Sequence, residues 1–338
     1  MMRQFLITFI LILSFLSFGC AYKLKQSEVS TNMQPVIITN FDGYAGGGRL
    51  LKQVFNKTPQ KILAVSESVV DDLIFLGLQD KIVAISACYS KSYAPYEAEY
   101  AKFTRLTSGT GYPSKEAVLG LKPDLIVGWG SLFEETALGS VDYWQQKGIH
   151  TYVMTNTVPV KATGKRKVEY VINDLQQLAR IFRIENQSQS KIMRLKKRIV
   201  SLTQRSEKIP YEKRPTVVTL QHLYGNEYFG RTASDLTANM IELACGVSLD
   251  DMIGGRKSVE YLVQLNPDMI LLIDTETVPV ESKIKALRKH KVLQKLAAVR
   301  NNKIFVIKHR AFYCGSLRSV EAVEELQKYI EGNFKLSK

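Results

Sequence analysis

The sequence predicts an α/β fold with two lobes, and three observations support this prediction. The chain has 338 residues, which is long for one compact core and suits two modest domains. Short apolar strands alternate with amphipathic helices along most of the chain, a pattern typical of mostly parallel sheets covered by helices on both faces. A spaced motif in the first half recurs in the second half, which predicts equivalent elements in the two lobes.

The first 20 residues have the features of an export signal. Arg3 supplies a positive charge and residues 5–18 are almost wholly apolar, a stretch too short to span a bilayer comfortably and typical of a signal peptide. Gly19 and Cys20 resemble the end of a bacterial lipobox, in which the cysteine is lipidated. The residues before Gly19 depart from that pattern, which leaves ordinary signal-peptidase cleavage open. We therefore predict a signal peptide at 1–19, export, and either a lipid anchor at Cys20 on the cell membrane or a periplasmic location.

The predicted first lobe covers residues 58–160 and follows a lipidated N-terminus and tether at 20–57. Residues 21–34 are polar and lack periodicity. The glycines of segment 43–48 do not have the G-x-G-x-x-G spacing of a dinucleotide-binding loop, so we interpret the segment as a tight turn. Hydrophobic periodicity predicts strands at 36–39, 61–66, 81–86, 125–128 and 151–154, and helices at 68–77, 114–121 and 141–147.

A long helix at 165–184 is predicted to bridge the two lobes. Apolar residues recur along 167–182 at helical spacing and form one stripe, and a second amphipathic run with a basic face follows at 192–202. The second lobe, at 186–338, repeats the alternation of strands and helices. Its strands are predicted at 216–220, 269–273 and 303–307, and its helices at 236–244, 259–265, 282–296 and 319–329.

The repeated motif stands once in each lobe. Ser114 and Ser258 each begin the pattern S-x-E-x-x-x-x-L-x-P-D, which is followed by three apolar residues. This pattern predicts a serine-capped short helix, a proline stop and a buried strand. Glu116 and Glu260 fall in the first turn of these helices, where a carboxylate interacts favourably with the helix dipole.

Charge, motif content and cysteines limit the function classes. The chain has 46 Lys and Arg against 32 Asp and Glu, a net charge of +14, which favours anionic partners, while export argues against nucleic acid. It contains no P-loop, G-x-S-x-G or H-E-x-x-H motif. Besides Cys20, we interpret Cys88, Cys245 and Cys314 as small buried thiols, and a bridge between the last two is the alternative.

Several segments, in this order, resemble one known family. They lie at 61–66, 73–77, 116–124, 243–246, 260–268 and 296–306, and the resemblance runs from about residue 59 to the end of the chain. The segments are similar to those of class III periplasmic binding proteins for ferric siderophores, heme and cobalamin. The resemblance implies two Rossmann-like lobes joined by a single long backbone helix, a ligand cleft at the carboxyl ends of the strands, no intrinsic cofactor, and a monomer.

The resemblance also implies a partner for the repeated glutamates. In similar proteins the corresponding residues, one in each lobe, dock into arginine pockets on the two subunits of a permease dimer that works with an ATPase. Carried over to this chain, Glu116 and Glu260 would dock it on the permease of an ABC importer. Charge-complementary rims of this kind steer the encounter and fix the register of two partners.

Ring-bearing and cationic residues follow several predicted strands and are the candidates for ligand contact. They are Tyr89, Tyr112 and Trp129 in the first lobe and His222, Tyr224, Arg310 and Tyr313 in the second. Rings and cations suit a flat, anionic, aromatic ligand, and Arg310 would supply a permanent cation. The resemblance implies a metal role for His222 and Tyr313, because some siderophore binders use a His and a Tyr to fill open iron sites on a tetradentate chelate.

The expected function is capture of a ferric siderophore-type chelate and its delivery to the permease. A heme- or cobalamin-binding protein of the same family is one open alternative. A cell-surface enzyme with a site built from Glu67, His222 and Asp274 is another, and a structural surface lipoprotein is the third. Turnover of a chelate would favour the enzyme, and failure to bind any small ligand would favour the structural protein.

Overall fold

The computed structural model describes residues 34–88, 94–107 and 111–336. The predicted signal peptide at 1–19, Cys20 and Tyr89 lie outside these ranges, and their roles stay predictions. Within the ranges, no helix combines the length and the apolar character that crossing a membrane would require.

The first lobe contains a parallel sheet. Its strands and the helices around it begin and end within one residue of the predicted positions, whereas the strand predicted at 36–39 extends to Phe41. The strands of this part of the chain are β1 (Val36–Phe41), β2 (Leu50–Phe55), β3 (Ile62–Val65), β4 (Ile82–Ser86), β5 (Leu125–Gly128) and β6 (His150–Val153). Its helices are α1 (Glu67–Leu76), α2 (Lys115–Leu121) and α3 (Val141–Gln146). The sheet has the order β4-β3-β5-β6, and β3 and β5 are wholly buried, as expected of a sheet covered on both faces.

An antiparallel hairpin of β1 and β2 precedes this sheet, so the prediction of a tether up to residue 57 is wrong from Val36 onward. Two buried amides fix the hairpin to the edge strand β6. The Asn40 side chain donates to the Val153 carbonyl and accepts from its N–H, at 3.0 and 2.7 Å. Gln53 makes the same pair of bonds with Thr151, at 2.8 and 3.3 Å. The hairpin therefore supplies partners for an otherwise open sheet edge.

Two consecutive helices lead from the first lobe to the second. Helix α4 (Tyr170–Phe182) occupies the predicted bridge and is shorter than the expected 165–184. It ends where Arg183 takes a left-handed conformation with φ 56°, and α5 (Glu185–Glu207) then continues for 23 residues. Helix α4 packs against α1 and β1, whereas α5 packs against later helices of the second lobe. The connection between the lobes therefore consists of two helices, one packed against each lobe.

The second lobe is built on a mixed sheet. Its strands are β7 (Thr216–Tyr224), β8 (Glu227–Gly230), β9 (Val247–Ser248), β10 (Gly255–Ser258), β11 (Met269–Asp274) and β12 (Ile304–Lys308). Its helices are α6 (Leu236–Leu243), α7 (Val259–Leu265), α8 (Val280–Lys289) and α9 (Leu317–Asn333). Four-residue helical turns lie at Glu97–Tyr100, Val160–Thr163, Ala297–Arg300 and His309–Phe312. Strands β7, β11 and β12 are parallel. The unpredicted β8 pairs antiparallel with β7, and the unpredicted β10 pairs antiparallel with β8.

Helix α8 ends earlier than the predicted 282–296. His290 is extended, and its Nδ1 accepts the backbone N–H groups of Val292 and Leu293 at 3.3 and 3.4 Å. A side chain that binds backbone donors in this way offers the chain an alternative to continuing the helix.

One buried apolar cluster extends from the first lobe to the second. It includes Leu73 of α1, Leu178 of α4, Leu195 of α5, Leu271 of β11 and Val320 of α9. Since a shared core must be broken for the lobes to separate, the lobes are held in one arrangement by packing as well as by the chain connection.

Candidate functional site

Three of the predicted ligand residues meet between the lobes. Trp129 follows β5 directly and is 1% exposed. Its ring centroid lies 5.6 Å from that of Tyr112, which is 42% exposed, and 5.5 Å from that of Tyr313 in an edge-to-face contact. Tyr313 comes after β12 of the second lobe, so the contact joins the carboxyl ends of strands from both sheets, where open α/β sheets bind ligands.

The helical turn after β12 extends this group of rings. His309 stacks on Tyr313 with the ring centroids 4.5 Å apart, and Phe312 meets both rings edge-on, at 5.5 Å from His309 and 6.4 Å from Tyr313. We call Tyr112, Trp129, His309, Phe312 and Tyr313 the aromatic cluster. Such edge-to-face and stacked pairs add to the stability gained from burial alone.

Tyr44 also lies beside this cluster and was missed by the sequence prediction. The segment around it forms the turn that joins β1 to β2, as predicted. Its backbone N–H donates to the Gly130 carbonyl at 3.1 Å, and a Cβ on Gly130 would lie 2.9 Å from Cδ2 of its ring. Tyr44 is 38% exposed. In the sequence, an aromatic residue among glycines was the feature that could have marked Tyr44 as a candidate.

His222 and Tyr224 lie apart from the aromatic cluster, at the end of β7. Their ring centroids are 5.8 Å apart, and the guanidinium of Arg256 lies 4.6 Å over the Tyr224 ring. Burial and the charge of Lys283 lower the pKa of His222, which keeps a lone pair available at neutral pH. The role of His222 and Tyr313 as iron ligands stays a prediction.

The prediction that Arg310 faces the ligand is not supported by its position. The side chain is buried, at 4% exposure, with Nη2 3.4 Å from Oδ2 of Asp71 and 3.1 Å from the hydroxyl of Tyr100. The carbonyl of the same residue accepts from the Ser68 hydroxyl at 2.9 Å. The guanidinium therefore neutralises a buried carboxylate of helix α1, and an anionic ligand would have to compete with that carboxylate.

Arg310 is part of a larger contact that fastens α1 to the second lobe. Arg318 Nε donates to Asp71 at 3.0 Å, and Asp72 accepts the backbone N–H of Leu317 at 3.0 Å. We call Ser68, Asp71 and Asp72 of α1, with Arg310, Leu317 and Arg318, the interlobe lock. Burial raises the pKa of Asp71 although both arginines oppose the shift, and burial raises the pKa of Asp72 well above its ordinary value.

The repeated motif forms the same local structure in both lobes. The hydroxyls of Ser114 and Ser258 cap α2 and α7 by accepting backbone N–H groups three residues later, at 3.1 and 3.3 Å. Asp124 accepts the N–H of Lys61 ahead of β3, and Asp268 accepts the N–H of Thr216 at the start of β7, both at 2.8 Å. Serine and aspartate therefore have structural roles at each copy.

The glutamates of the motif differ from these residues. Glu116 and Glu260 are both exposed in the first turn of their helices. Among the residues with described positions, neither glutamate takes part in an ion pair or a side-chain hydrogen bond. The serine and aspartate of each motif therefore stabilise the local fold. The glutamate carboxylate, one in each lobe, remains available at the surface.

The described ranges contain no ready-made metal site. No group of three or more His, Cys, Asp or Glu in them is arranged to hold a metal ion. Cys88, Cys245 and Cys314 are buried free thiols, and the alternative bridge between the last two is not formed. Burial raises the pKa of Cys88 and of Cys314 to about 12, which makes both poor nucleophiles.

A family model for periplasmic binding proteins matches residues 62–311, a stretch that includes both sheets and the helices between them. The chain belongs to the periplasmic binding protein family. This family is one of binding proteins that act outside the cytoplasm. The predicted class of two α/β lobes is thereby confirmed.

Solved structures share this fold over most of their length. A periplasmic binding protein from Veillonella parvula has a TM-score of 0.74 at 22% identity, over 88% of this chain and 92% of that one. A component of an ABC-type Fe3+-hydroxamate transport system from Saccharomonospora viridis has a TM-score of 0.67 at 18% identity, over 87% and 98%. The periplasmic heme-binding protein of Vibrio cholerae has a TM-score of 0.62 at 20% identity, over 79% and 98%. The comparison with curated proteins gave no match.

Proposed function

We propose that this chain is the solute-binding protein of an ABC importer, and that it captures a ferric siderophore-type chelate between its lobes. Family membership supports the binding role. The observation that carries the proposal is the contact of Tyr112 and Trp129 with Tyr313, because it joins the carboxyl ends of strands from both lobes. Two structural relatives are named for an Fe3+-hydroxamate transport system and for heme.

The chemistry of the aromatic cluster favours a ligand with flat or aromatic groups. Tyr112 is well exposed beside the buried Trp129, so that a bound molecule can contact exposed ring surface supported by a fixed ring beneath it. The net charge of +14 favours an anionic ligand by raising its local concentration at the protein surface. Tyr313 supplies a phenolic oxygen, a hard donor that suits ferric iron on a chelate with open sites.

Delivery to the permease would use Glu116 and Glu260. Both carboxylates are exposed and do not contribute contacts to the folded lobes within the described ranges, whereas the serine and aspartate of each motif do. Rim charges of this kind govern encounter and register more than affinity. A lipid on Cys20 would keep the monomeric protein close to the permease in the membrane.

Trp fluorescence tests the binding proposal. The chain has two tryptophans, of which Trp129 lies in the aromatic cluster. Trp144 is also buried and is not one of the rings of the aromatic cluster; its indole N–H donates to the Leu138 carbonyl. Titration with a panel of ferric siderophores, heme and cobalamin should quench Trp129 saturably, and the quench should be lost in Trp129→Phe and retained in Trp144→Phe.

Each outcome of the panel has a separate meaning. Saturable binding of ferric siderophores supports the proposal. Tight binding of heme or cobalamin alone would assign the protein to that ligand, and binding of no chelate in the panel would contradict a chelate-binding function. Catalytic turnover of a bound chelate would favour an enzyme.

A further inference from the structure

Helix α5 carries a basic stretch that the proposed function does not use. Residues 186–206 contain six Lys and Arg and no Asp or Glu. The other long helix of the second lobe, α9, mixes charges of both signs, which is the usual pattern on a helix surface that faces only solvent. The arrangement of the six cations on α5 shows which of them serve the fold and which do not.

Three of the six cations fasten α5 to the rest of the protein. Arg198 and Arg205 form ion pairs with glutamates of α9. The ammonium group of Lys191 donates to the Phe75 carbonyl at 2.6 Å. These three side chains therefore have structural partners.

The other three cations face solvent together with two apolar side chains. Arg194, Lys196 and Lys197 are exposed, and none of them forms an ion pair or a side-chain hydrogen bond with any residue that the structure describes. Met193 and Val200 lie among these cations, because residues three, four and seven apart share one side of a helix. They are 41% and 45% exposed. We call these five residues the α5 basic face.

The α5 basic face is separate from the aromatic cluster. Helix α5 packs against α4, α6 and α9, and the chain runs from its last residue, Glu207, into the start of β7 at Thr216. This end of α5 therefore lies toward the amino ends of the second sheet, whereas the aromatic cluster lies at the carboxyl ends of the strands. A partner on the α5 basic face does not have to enter the space between the lobes.

Cations mixed with exposed apolar side chains suit an anionic membrane surface. Lysine and arginine are attracted to the head groups of anionic lipids. Apolar side chains on the same helix face enter the boundary between the head groups and the acyl chains. A soluble polyanion would neutralise the cations but would leave Met193 and Val200 in water. The combination of charge and apolar surface therefore favours a membrane as the partner.

We propose that the α5 basic face docks this protein on a membrane that contains anionic phospholipids. The long stems of the three cations let their charged ends reach the lipid phosphates while Met193 and Val200 lie just below the head groups. This docking goes beyond chelate capture and does not involve the two repeated glutamates. It adds a reversible attachment to the predicted lipid anchor, and two such signals together hold a protein on a membrane more firmly than one.

Sedimentation of the full chain with lipid vesicles tests the docking. One set of vesicles contains phosphatidylcholine alone, and the other contains anionic phosphatidylglycerol as well. We expect the wild type to bind the anionic vesicles more tightly, and this preference should fall steeply with added salt. Lys196→Gln/Lys197→Gln should weaken binding to the anionic vesicles on the order of tenfold or more, because each cation near an anionic surface contributes about fivefold.

A second pair of lysines controls for net charge. Lys285 and Lys289 are exposed on α8, outside the α5 basic face. Lys285→Gln/Lys289→Gln removes the same charge from the protein, and its binding to the anionic vesicles should stay within about threefold of wild type.

A third variant separates a membrane from a soluble polyanion. Met193→Ser/Val200→Ser removes two exposed apolar side chains and keeps every cation of the α5 basic face. We expect it to weaken binding to the anionic vesicles about fivefold and to leave binding of inorganic polyphosphate unchanged. Because all the substituted side chains are exposed, thermal unfolding of each variant should match that of the wild type.

Three results would overturn the docking. Equal binding of the wild type to both sets of vesicles would show that anionic lipid is not recognised. Equal weakening in the two lysine variants would reduce the effect to net charge. Vesicle binding that is unaffected by Met193→Ser/Val200→Ser, with polyphosphate binding lost in Lys196→Gln/Lys197→Gln, would assign the α5 basic face to a soluble polyanion. Chelate titration of the same variants is independent of these results and should match the wild type.

Discussion

The interlobe lock and the aromatic cluster both join the two lobes, but they use different chemistry. The lock joins α1 to the chain after β12 through charged groups that are almost entirely buried, with Asp71 between two arginines. The aromatic cluster joins the loop after β5 to the same part of the second lobe through rings, and Tyr112 keeps much of its surface exposed.

This difference gives the two contacts different roles: the lock holds the lobes together, and the aromatic cluster serves ligand binding. Opening the lock would break several charge-assisted hydrogen bonds at once, from Arg310 and Arg318 to Asp71 and from the Leu317 N–H to Asp72. Rings in van der Waals contact have weak directional preferences and can adjust to a ligand between them. We therefore expect the lock to fix the relative position of the lobes, so that ligand capture depends on side chains at the aromatic cluster more than on lobe closure.

Removing the central carboxylate of the lock should have the largest effect. Asp71→Ala leaves the buried guanidinium groups of Arg310 and Arg318 without their shared partner. We expect the free energy of unfolding to fall by about 3–5 kcal/mol, the usual cost of breaking a buried ion pair from one side. Urea unfolding followed by circular dichroism measures it.

A surface ion pair provides the matched control. Arg198 and Glu324 form a bidentate pair at 2.7 Å on partly exposed helix surfaces, and Glu324→Ala should cost less than about 1 kcal/mol. If Asp71→Ala proved no more destabilising than Glu324→Ala, the lock would not hold the lobes together.

Asp174 contrasts with Asp71 of the lock, because it is a buried carboxylate held by neutral donors instead of arginines. It accepts from the hydroxyls of Tyr152 and Thr155 at 2.9 and 2.6 Å, and burial raises its pKa to about 6. Its folded-state pKa exceeds the unfolded value of about 3.9, so the folded state holds a proton that the unfolded state releases. The contribution of Asp174 therefore favours folding at low pH and is progressively lost as pH rises from about 4 to about 6.

Stability measured against pH tests this assignment. A shift of about two pKa units corresponds to roughly 3 kcal/mol across that interval. The difference in unfolding free energy between wild type and Asp174→Asn should change by an amount of that order from pH 4 to pH 6.5. A pH-independent difference would show that Asp174 titrates normally.

Changes to Tyr313 should affect stability less than loss of the lock does, and they should also weaken ligand binding. Tyr313→Ala removes the ring that contacts Trp129 and His309, and we expect chelate affinity to fall roughly tenfold, from aromatic contacts worth about 0.5–1.5 kcal/mol. Tyr313→Phe keeps the ring, so a chelate that fills all six iron sites should bind within about threefold of wild type. A chelate with open iron sites should bind Tyr313→Phe more weakly, and unchanged affinity for it would contradict an iron-binding role of the hydroxyl.

The Glu116→Ala/Glu260→Ala variant should have the smallest effect on stability and on ligand affinity, because neither side chain contacts the aromatic cluster or the lock in the described ranges. Uptake through the permease should nevertheless fall sharply. Glu281→Ala, which removes an exposed carboxylate from the first turn of α8, is the matched control and should leave uptake unchanged. Weakened chelate binding with normal uptake would contradict the docking role.

Much of the fold could be predicted from local sequence patterns. Alternation of apolar strands and amphipathic helices placed both sheets, and the repeated motif beginning at Ser114 and Ser258 formed the same cap twice. The β1–β2 hairpin was mistaken for part of the tether. Its decisive residues, Asn40 and Gln53, are polar side chains whose partners on β6 lie about a hundred residues away.

The site could be predicted only in part, because position after a strand does not determine where a side chain points. Trp129 and Tyr313 meet between the lobes as candidate ligand residues, whereas Arg310, two positions from Phe312, turns into the lock. Asp71 and Asp72 were not singled out, because acids on an amphipathic helix usually face solvent. The contact between Arg166 and Asp235 likewise forms only in the folded chain.

The most direct test of chelate capture is the position of iron in crystals of the protein grown with a bound ferric chelate, located by anomalous diffraction. We expect one iron between the lobes, next to the aromatic cluster. Iron located away from Trp129 and Tyr313, for instance near His222 and Tyr224 alone, would contradict it.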